Sequence, residues 1–273
     1  MPDLEPQTGF ADVNGTRLYY EVAGTGHPVV LIHAGIADHH MWDKQFALFA
    51  QQYRVIRYDL RGLGQSAMPP GPYRHARDLY GLLQYLGIVQ AHVIGVSIGG
   101  MTAIDFTLEH PEMVTALIAV AAGISGSKPS EAAKALFAPL DEAYDAGDLE
   151  RVLAMEMDIW VVGPGRTREA IDPALRQAVE TMERANLERE FAGEEGTVER
   201  LDPPAAGRLG EIQAPALIIV GDADTPDTVA NADTLAEGIP GARKVVLPNV
   251  AHMVPMEAPD AFNRLVLDFL GSV

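Results

Sequence analysis

Apolar runs that are rich in β-branched residues alternate with amphipathic stretches along most of the chain. There are six such runs, and most of them are too continuously apolar for a strand with one solvated face, which indicates buried parallel strands. Between them, helical periodicity predicts helices at about Met41–Gln52, Arg74–Leu86, Gly99–His110 and Pro255–Leu270. The pattern therefore predicts an α/β fold with a mostly parallel, doubly wound sheet. The six runs are PVVLIHA, YRVIRYDL, AHVIGVS, VTALIAVA, PALIIVGD and ARKVVLPN.

The N-terminal segment has a different pattern. GFADVNGTRLYYEVAG alternates apolar and polar residues on both sides of Asn14-Gly15. An Asn-Gly pair between alternating segments is a strong signal for a two-residue turn. We therefore expect an antiparallel hairpin at the start of the sheet.

The rhythm of strands and helices stops in the middle of the chain. From 125 to 212 no convincing strand appears, and charged residues mix with leucines, methionines and alanines in helical stretches. We predict a core of residues 1–124 and 213–273, with a helical cap, or lid, inserted at 125–212. Such an insertion would cover the carboxyl edge of the sheet, where ligands bind. A structural arm or a dimer contact is the alternative.

Composition limits the classes of function. The chain has 273 residues, enough for one large α/β domain, and no cysteine, which excludes disulfides and thiol catalysis. Its formal net charge of -18 disfavours nucleic acid and anionic membranes as partners. The N-terminus has neither the basic nor the apolar region of a signal peptide. We expect a cytoplasmic protein and leave open whether it forms a homo-oligomer.

The stretch GVSIGG contains the clearest candidate for chemistry. Residues Gly95 to Gly99 fit the pattern G-x-S-x-G, after a predicted strand and before a predicted helix. In that context the serine lies on a strained turn, and the glycines on both sides remove side chains that would collide there. We therefore predict that Ser97 is a nucleophile, with a purely structural turn as the alternative.

A serine nucleophile needs a base and a group that orients the base. His252 follows the last predicted strand, so its loop reaches the carboxyl edge, and we predict it as the base. His33 is expected to shape the loop beside the nucleophile. His39, His40, His75 and His110 fall in or beside helical stretches, where we expect them to be solvated.

The acid should follow a strand between the serine and the histidine. GDADTPD offers three aspartates after one predicted strand. Asp224 lies on the turn rather than in the strand, and it is the first choice, with Asp222 second. A helix N-cap is the alternative role for either.

These pieces together resemble the α/β-hydrolase superfamily, in its small esterase, lactonase and perhydrolase-like branch. The matching segments are HAGIADHHMW, YDLRGLGQS, GVSIGG, GDADTPD and AHMVPMEAPDAFNRLVLDFL, in the family order Ser, Asp, His. The resemblance implies an oxyanion hole from the N–H groups of Ile98 and, in the early loop, Gly35. The family usually has glycine at the position of Ala34, so the sequence leaves open whether Gly35 or Ala34 supplies the second donor.

The resemblance implies a carboxylesterase that acts on small, largely apolar esters through an acyl-enzyme on Ser97. A lactonase, a perhydrolase or a carbon–carbon bond hydrolase would use the same triad, and a ligand receptor that retains the triad is the non-enzyme alternative. We expect Trp160 and Met253 to line an apolar acyl pocket. No metal or organic cofactor is expected, and the partner is a small ester or lactone.

Overall fold

The fold is built on one large sheet. The structure is a computed structural model that describes residues 5–193 and 196–273. Its main sheet has the strand order β1-β2-β4-β3-β6-β7-β9-β10, and a two-residue pair, β5 with β8, lies apart from it. The strands are β1 (Gln7–Val13), β2 (Thr16–Ala23), β3 (Pro28–Ile32), β4 (Arg54–Tyr58), β5 (Pro72–Tyr73), β6 (Ala91–Val96), β7 (Val114–Val120), β8 (Thr197–Val198), β9 (Ala216–Gly221) and β10 (Arg243–Leu247).

The six apolar runs all form strands, and they pair in parallel from β4 through β10. The predicted hairpin is also present, because β1 pairs antiparallel with β2 across Asn14 and Gly15. Both turn residues have positive φ, at 48° and 72°, as a tight hairpin turn of this kind requires. The predicted α/β fold with a mostly parallel sheet and an N-terminal hairpin is confirmed.

Helices cover both faces of the sheet, and two apolar clusters fill the space between the layers. No helix in the described ranges is long and apolar enough to cross a membrane. The helices are α1 (Asp43–Phe49), α2 (His75–Tyr85), α3 (Ile98–Glu109), α4 (Glu131–Asp145), α5 (Leu149–Glu156), α6 (Pro173–Phe191), α7 (Pro226–Gly238), α8 (Val254–Glu257) and α9 (Pro259–Leu270).

Two helices differ from the predicted ones. The predicted helix at Met41–Gln52 is a 3-10 turn at His39–Trp42 followed by α1. The predicted closing helix is broken at Ala258, where φ is -125°. The cause is Pro259, because a residue before proline is forced out of the helical region.

Residues 125–212, here called the inserted segment, join β7 to β9. The segment contains α4, α5 and α6, with a π-helical turn at Met157–Val162 after α5. The expectation of no strand in it was wrong in one place, because Thr197–Val198 pairs in parallel with Pro72–Tyr73. The segment starts at the carboxyl edge of the sheet, after β7, and its last residues lead into the amino end of β9.

Candidate active site

Ser97 lies on the turn between β6 and α3 in a strained conformation. Its φ is 58° and its ψ is -117°, a region that costs a non-glycine residue about 1–3 kcal/mol. A Cβ on Gly95 would collide with the backbone of Gly99, and a Cβ on Gly99 would lie 2.5 Å from the carbonyl oxygen of His33. The two glycines are therefore what allows the strand, the turn and the helix to pack this closely.

His252 and Asp224 meet at the same edge of the sheet, 28 positions apart in the chain. The Nδ1–H of His252 donates to Oδ2 of Asp224 at 2.8 Å, and both side chains are buried. Because an ionised carboxylate only accepts, this bond fixes the tautomer that leaves Nε2 as an acceptor. The N–H of Thr225 donates to Oδ1 of Asp224 at 2.6 Å and holds the carboxylate in place.

The other two aspartates of GDADTPD have different partners. Asp222 accepts from the backbone N–H of Asn249 at 2.6 Å, which ties the end of β9 to the loop after β10. Asp227 accepts from the backbone N–H and the hydroxyl of Ser130, before α4. Of the three sequence candidates, the structure thus brings only Asp224 to His252.

The loop that carries His252 is held by an ion pair that sequence reasoning missed. Glu257 accepts from the N–H of Ala251 at 2.8 Å and from Arg166 at 2.6 Å. Arg166 also donates to the carbonyl oxygens of Val162 and Asn249. Glu257 lies in a motif that the sequence singled out, but nothing in the sequence links it to Arg166, 91 positions earlier.

Two backbone N–H groups lie beside Ser97 without an acceptor among the described residues: those of Gly35 and Ile98. A Cβ on Gly35 would lie 3.7 Å from Ile98, so the two residues are neighbours. The N–H of Ala34, by contrast, donates to the sulfur of Met41 at 3.4 Å. Of the two N–H groups that the sequence leaves open, that of Ala34 is thus occupied and that of Gly35 is the one without an acceptor among the described residues.

His33 ties the early loop to the end of β4. Its Nδ1–H donates to the carbonyl oxygen of Ala34 at 2.7 Å, and its Nε2 accepts from the N–H of Leu60 at 2.9 Å. Complete burial lowers the pKa of this imidazole, which stays neutral and structural. It shapes the loop beside Ser97, as the sequence suggests.

Two of the histidines expected to be solvated are buried, so that expectation was wrong for them. His39 is 2% exposed and shares Oδ1 of Asp59 between its N–H and its Nδ1. His75 is also buried, and burial lowers its pKa to about 4. Helical periodicity predicts that both histidines lie in or beside helices. It does not show that these helices pack with the histidine side facing the protein interior.

A cavity of about 260 Å³ opens at Ser97 and His252. Ser97 Oγ has no hydrogen-bond partner among the described residues, and apo sites often show such loose geometry between nucleophile and base. The core side of the wall consists of Ala34, Gly35, Ile36, Leu63, Ser97 and His252. The inserted segment contributes Tyr144, Glu156, Trp160, Glu183, Asn186 and Glu190.

Of the two residues expected to line the pocket, only Trp160 does so. Its ring lies 4.4 Å from the imidazole of His252, centroid to centroid, with a tilt of 42°. Met253 is completely buried and does not line the cavity. The polar residues of the inserted segment were missed, because in the sequence they resemble the solvated faces of surface helices.

Comparison with known proteins gives the family. The family model for the alpha/beta hydrolase fold matches residues 27–259, which is most of the chain. The chain belongs to the α/β-hydrolase family. A relative that is 30% identical is 2-hydroxy-6-oxo-6-phenylhexa-2,4-dienoate hydrolase of Burkholderia cepacia, with 94% of this chain and 92% of that protein covered.

Two solved structures with the same fold represent further hydrolase chemistries. The enol-lactonase from Burkholderia xenovorans LB400 is 26% identical, with a TM-score of 0.78 over 96% of this chain and all of that one. A thermophilic esterase from Thermogutta terrifontis is also 26% identical, with a TM-score of 0.78 over 97% of this chain and 98% of that one. The chain therefore belongs to a family of hydrolases, and these three similar proteins are named as a dienoate hydrolase, an enol-lactonase and an esterase.

Proposed function

We propose that the protein is a serine hydrolase that cleaves carboxylic esters of small molecules through an acyl-enzyme on Ser97. The observation that carries the proposal is the convergence at one cavity of a serine on a strained turn and a histidine bound to a buried carboxylate. We assign Ser97 as nucleophile, His252 as base and Asp224 as the residue that orients the base.

In this mechanism Ser97 Oγ attacks the ester carbonyl while Nε2 of His252 takes the hydroxyl proton. The N–H groups of Gly35 and Ile98 bind the oxyanion, and one such donor is typically worth about 3–4 kcal/mol in the transition state. Asp224 stabilises the imidazolium, which then gives its proton to the leaving alcohol. Water, activated by the same imidazole, hydrolyses the acyl-enzyme and restores the Ser97 hydroxyl.

We further propose that the inserted segment acts as a cap domain over the site. Half of the residues that line the cavity come from it. Gly163, with a φ of 85°, packs against the backbone of Ala223 and the side chain of Ala251, the neighbours of Asp224 and His252. The segment therefore both roofs the cavity and contacts the two turns that carry the acid and the base.

A lactonase or a carbon–carbon bond hydrolase is the second candidate. The names of an enol-lactonase and a dienoate hydrolase among the relatives support it, because the same serine chemistry would open a lactone or cleave an activated ketone. A panel of aryl esters, enol-lactones, dienoate ketones and acetate with hydrogen peroxide ranks these reactions and tests perhydrolase activity as well. A receptor would bind a ligand tightly and turn none of these compounds over.

Ser97→Ala is the direct test with short p-nitrophenyl esters. We expect it to lower kcat/KM by at least about 10⁴-fold, because removal of a triad member leaves only binding and the oxyanion hole. Ser272→Ala, at an exposed position near the C-terminus, is the control and should retain wild-type activity. Unchanged turnover in the Ser97 variant would refute the assignment.

The remaining expectations concern location and partners. The formal net charge of -18 supports a protein without nucleic acid or anionic membrane as partner. A cytoplasmic location and a small-molecule substrate complete the proposal. Sedimentation in solution would establish the oligomeric state.

A further inference from the structure

Two buried carboxyl groups lie in the cavity wall that the inserted segment supplies. Glu156 ends α5 and Glu183 lies within α6, and their side chains line the same cavity as Ser97. Glu156 is 7% exposed and Glu183 is 4% exposed. Oε2 of each accepts no hydrogen bond from an N–H or a hydroxyl of the described residues, which leaves only the other carboxyl as a donor.

The two carboxyls contact each other. Burial, followed by the hydrogen bond and the charge of Glu156, raises the pKa of Glu183 well above its usual range. Glu183 therefore holds a proton at neutral pH and donates it toward Glu156. The hydroxyl of Tyr144 donates to Oε1 of Glu156 at 3.2 Å. A pair that shares one proton carries one negative charge.

No cation of the described wall balances that charge. None of the described residues that line the cavity is a lysine or an arginine. The arginine of α6 that pairs with Glu150 and Glu180, Arg184, lies on the outer surface instead. An unbalanced buried charge destabilises the folded protein, so its retention at a cavity indicates a functional role.

We propose that the Glu156–Glu183 pair binds an ammonium group, so that the substrate is an ester or lactone of an amine-bearing small molecule. The inference rests on the proposed hydrolase function and names its substrate class. An ammonium group has three donors, and the two carboxyl groups are charged acceptors in the wall of the cavity. Trp160 and Tyr144 supply aromatic surface next to them.

The same wall disfavours a carboxylate-bearing substrate. The hydrolase of Burkholderia cepacia has a dienoate, which is a carboxylate, in its name. A second negative charge beside the glutamate pair would be repelled at short range in a site of low dielectric constant. The pair would thus separate this chain from such relatives in substrate choice, although the fold and the serine chemistry are shared.

The first experiment measures binding without turnover. Ser97→Ala protein is titrated by calorimetry with benzylammonium, benzyl alcohol and benzoate, three probes of similar size and different charge. We expect benzylammonium to bind at least tenfold more tightly than benzyl alcohol and benzoate to bind most weakly. Equal affinity for the alcohol, tighter binding of benzoate, or no binding of benzylammonium at 10 mM would overturn the proposal.

Variants then locate the preference. Glu156→Gln with Glu183→Gln keeps the size of both side chains, replaces one oxygen of each by an amide donor and removes the charge. In the Ser97→Ala background it should abolish the preference for benzylammonium over benzyl alcohol. Glu180→Gln, at a more exposed position on the same helix, should leave the preference intact. Circular dichroism first establishes that the double variant is folded. A preference for benzylammonium that survives in the folded variant would overturn the proposal.

The second experiment measures turnover with Ser97 intact. The substrates are phenyl acetates with a para aminomethyl, ethyl or carboxylate group, and phenyl esters with the same groups on the acyl side. For each substrate, kcat/KM of the double variant is divided by that of the wild type, which cancels leaving-group effects. We expect the double variant to lose at least tenfold in its relative rate on an aminomethyl ester. Turnover that depends on Ser97 but shows no such loss contradicts only the ammonium site. Absence of Ser97-dependent turnover on all of the esters contradicts the proposed function.

Discussion

The two sides of the cavity differ in how their buried carboxyl groups are hydrogen-bonded. On the sheet side, Asp224 receives hydrogen bonds from His252 and from the backbone of Thr225, so each of its oxygens has a donor. On the side of the inserted segment, Glu156 and Glu183 each keep an oxygen that accepts from no N–H or hydroxyl of the described residues. Buried carboxyls thus lie on both sides of the cavity, and only on the sheet side do N–H groups of the protein bind both oxygens.

This difference separates two tasks. The sheet edge orients its own groups, since a base has to be held in one tautomer before substrate arrives. The opposite wall supplies no such donors to its carboxyls, and this is the arrangement that the proposed ammonium site needs. We infer that reaction type is determined by the sheet edge and selectivity by the inserted segment, and the predictions below test this division from the largest effect to the smallest.

Replacement of Asp224, the carboxylate whose two oxygens both accept hydrogen bonds, should have the largest effect on the rate of hydrolysis. Asp224→Asn can present its amide N–H₂ to His252 and so favour the wrong imidazole tautomer. In serine hydrolases such a change typically lowers kcat by about 10⁴-fold, and we expect a loss of about 10³- to 10⁴-fold on neutral aryl esters. Asp227→Asn, in the same turn region but bound to Ser130, is the matched control for steady-state kinetics. Comparable rates in the two variants would show that Asp224 does not orient the base.

A side chain added at Gly99, in the tight turn after Ser97, should lower both the stability of the fold and the activity of the site. In Gly99→Ala the new Cβ lies 2.5 Å from backbone oxygens of Ile32 and His33, which cannot move without shifting β3. We expect a loss of about 3 kcal/mol or more in unfolding free energy, as for overpacking of a rigid site, with a fall in kcat that exceeds any rise in KM. Chemical denaturation and steady-state kinetics measure the two effects.

Gly207→Ala is the control for that turn, because a Cβ there meets nothing within 4 Å. Its unfolding free energy should stay within about 1 kcal/mol of wild type. If Gly99→Ala is as well tolerated as Gly207→Ala, the close packing around Ser97 is not a constraint on the site.

These elements are also the ones that the sequence predicts well. The Asn14-Gly15 turn and the glycines around Ser97 carry local signals, because the backbone conformation itself demands those residues. The meeting of Asp224 with His252 follows from chain order in a parallel sheet, although their catalytic roles stay a prediction. Local chemistry and topology were sufficient here.

The opposite wall could not be predicted, for a physical reason. Glu156 and Glu183 lie on helices whose charged residues read as solvated faces, and only the packing of α5 against α6 turns them inward. Long-range packing also buried His75 and joined Arg166 to Glu257. None of these contacts has a local signature in the sequence.

The buried Glu156–Glu183 pair should lower the stability of the free protein. Glu156→Gln with Glu183→Gln removes a buried negative charge, and we expect the unfolding free energy at pH 7 to rise by about 1–3 kcal/mol. Asp224→Asn, measured in parallel, should lower it, since that carboxylate is paired. Denaturant unfolding of both variants gives the comparison, and a fall in both would remove the distinction between the two walls.

A further carboxyl lies between the paired Asp224 and the Glu156–Glu183 pair in its hydrogen bonding. Asp105 on α3 accepts from the hydroxyl of Ser125, at the start of the inserted segment, and burial raises its pKa to about 6. Because the folded pKa exceeds the ordinary value of 3.8, the folded state holds this proton more tightly than the unfolded state does. Its contribution to stability is thus complete below about pH 4 and is lost as the pH rises through about 6.

Asp105→Asn should therefore stabilise the protein at pH 8, by about 1–3 kcal/mol, and leave the unfolding free energy nearly unchanged at pH 4. Denaturant titrations at the two pH values measure this difference. Asp141→Asn, at an exposed position on α4, is the control and should show no dependence on pH. A gain for Asp105→Asn that is equal at both pH values would mean that the carboxyl does not titrate in this range.

Covalent capture of the nucleophile tests the central assignment most directly. The protein is treated with a small, neutral fluorophosphonate, and the intact mass and the modified peptide are determined by mass spectrometry. The account predicts a single adduct at Ser97, with labelling abolished in Ser97→Ala and strongly slowed in His252→Ala. An unmodified Ser97 in the native protein, or an adduct at another residue that persists in Ser97→Ala, would contradict it.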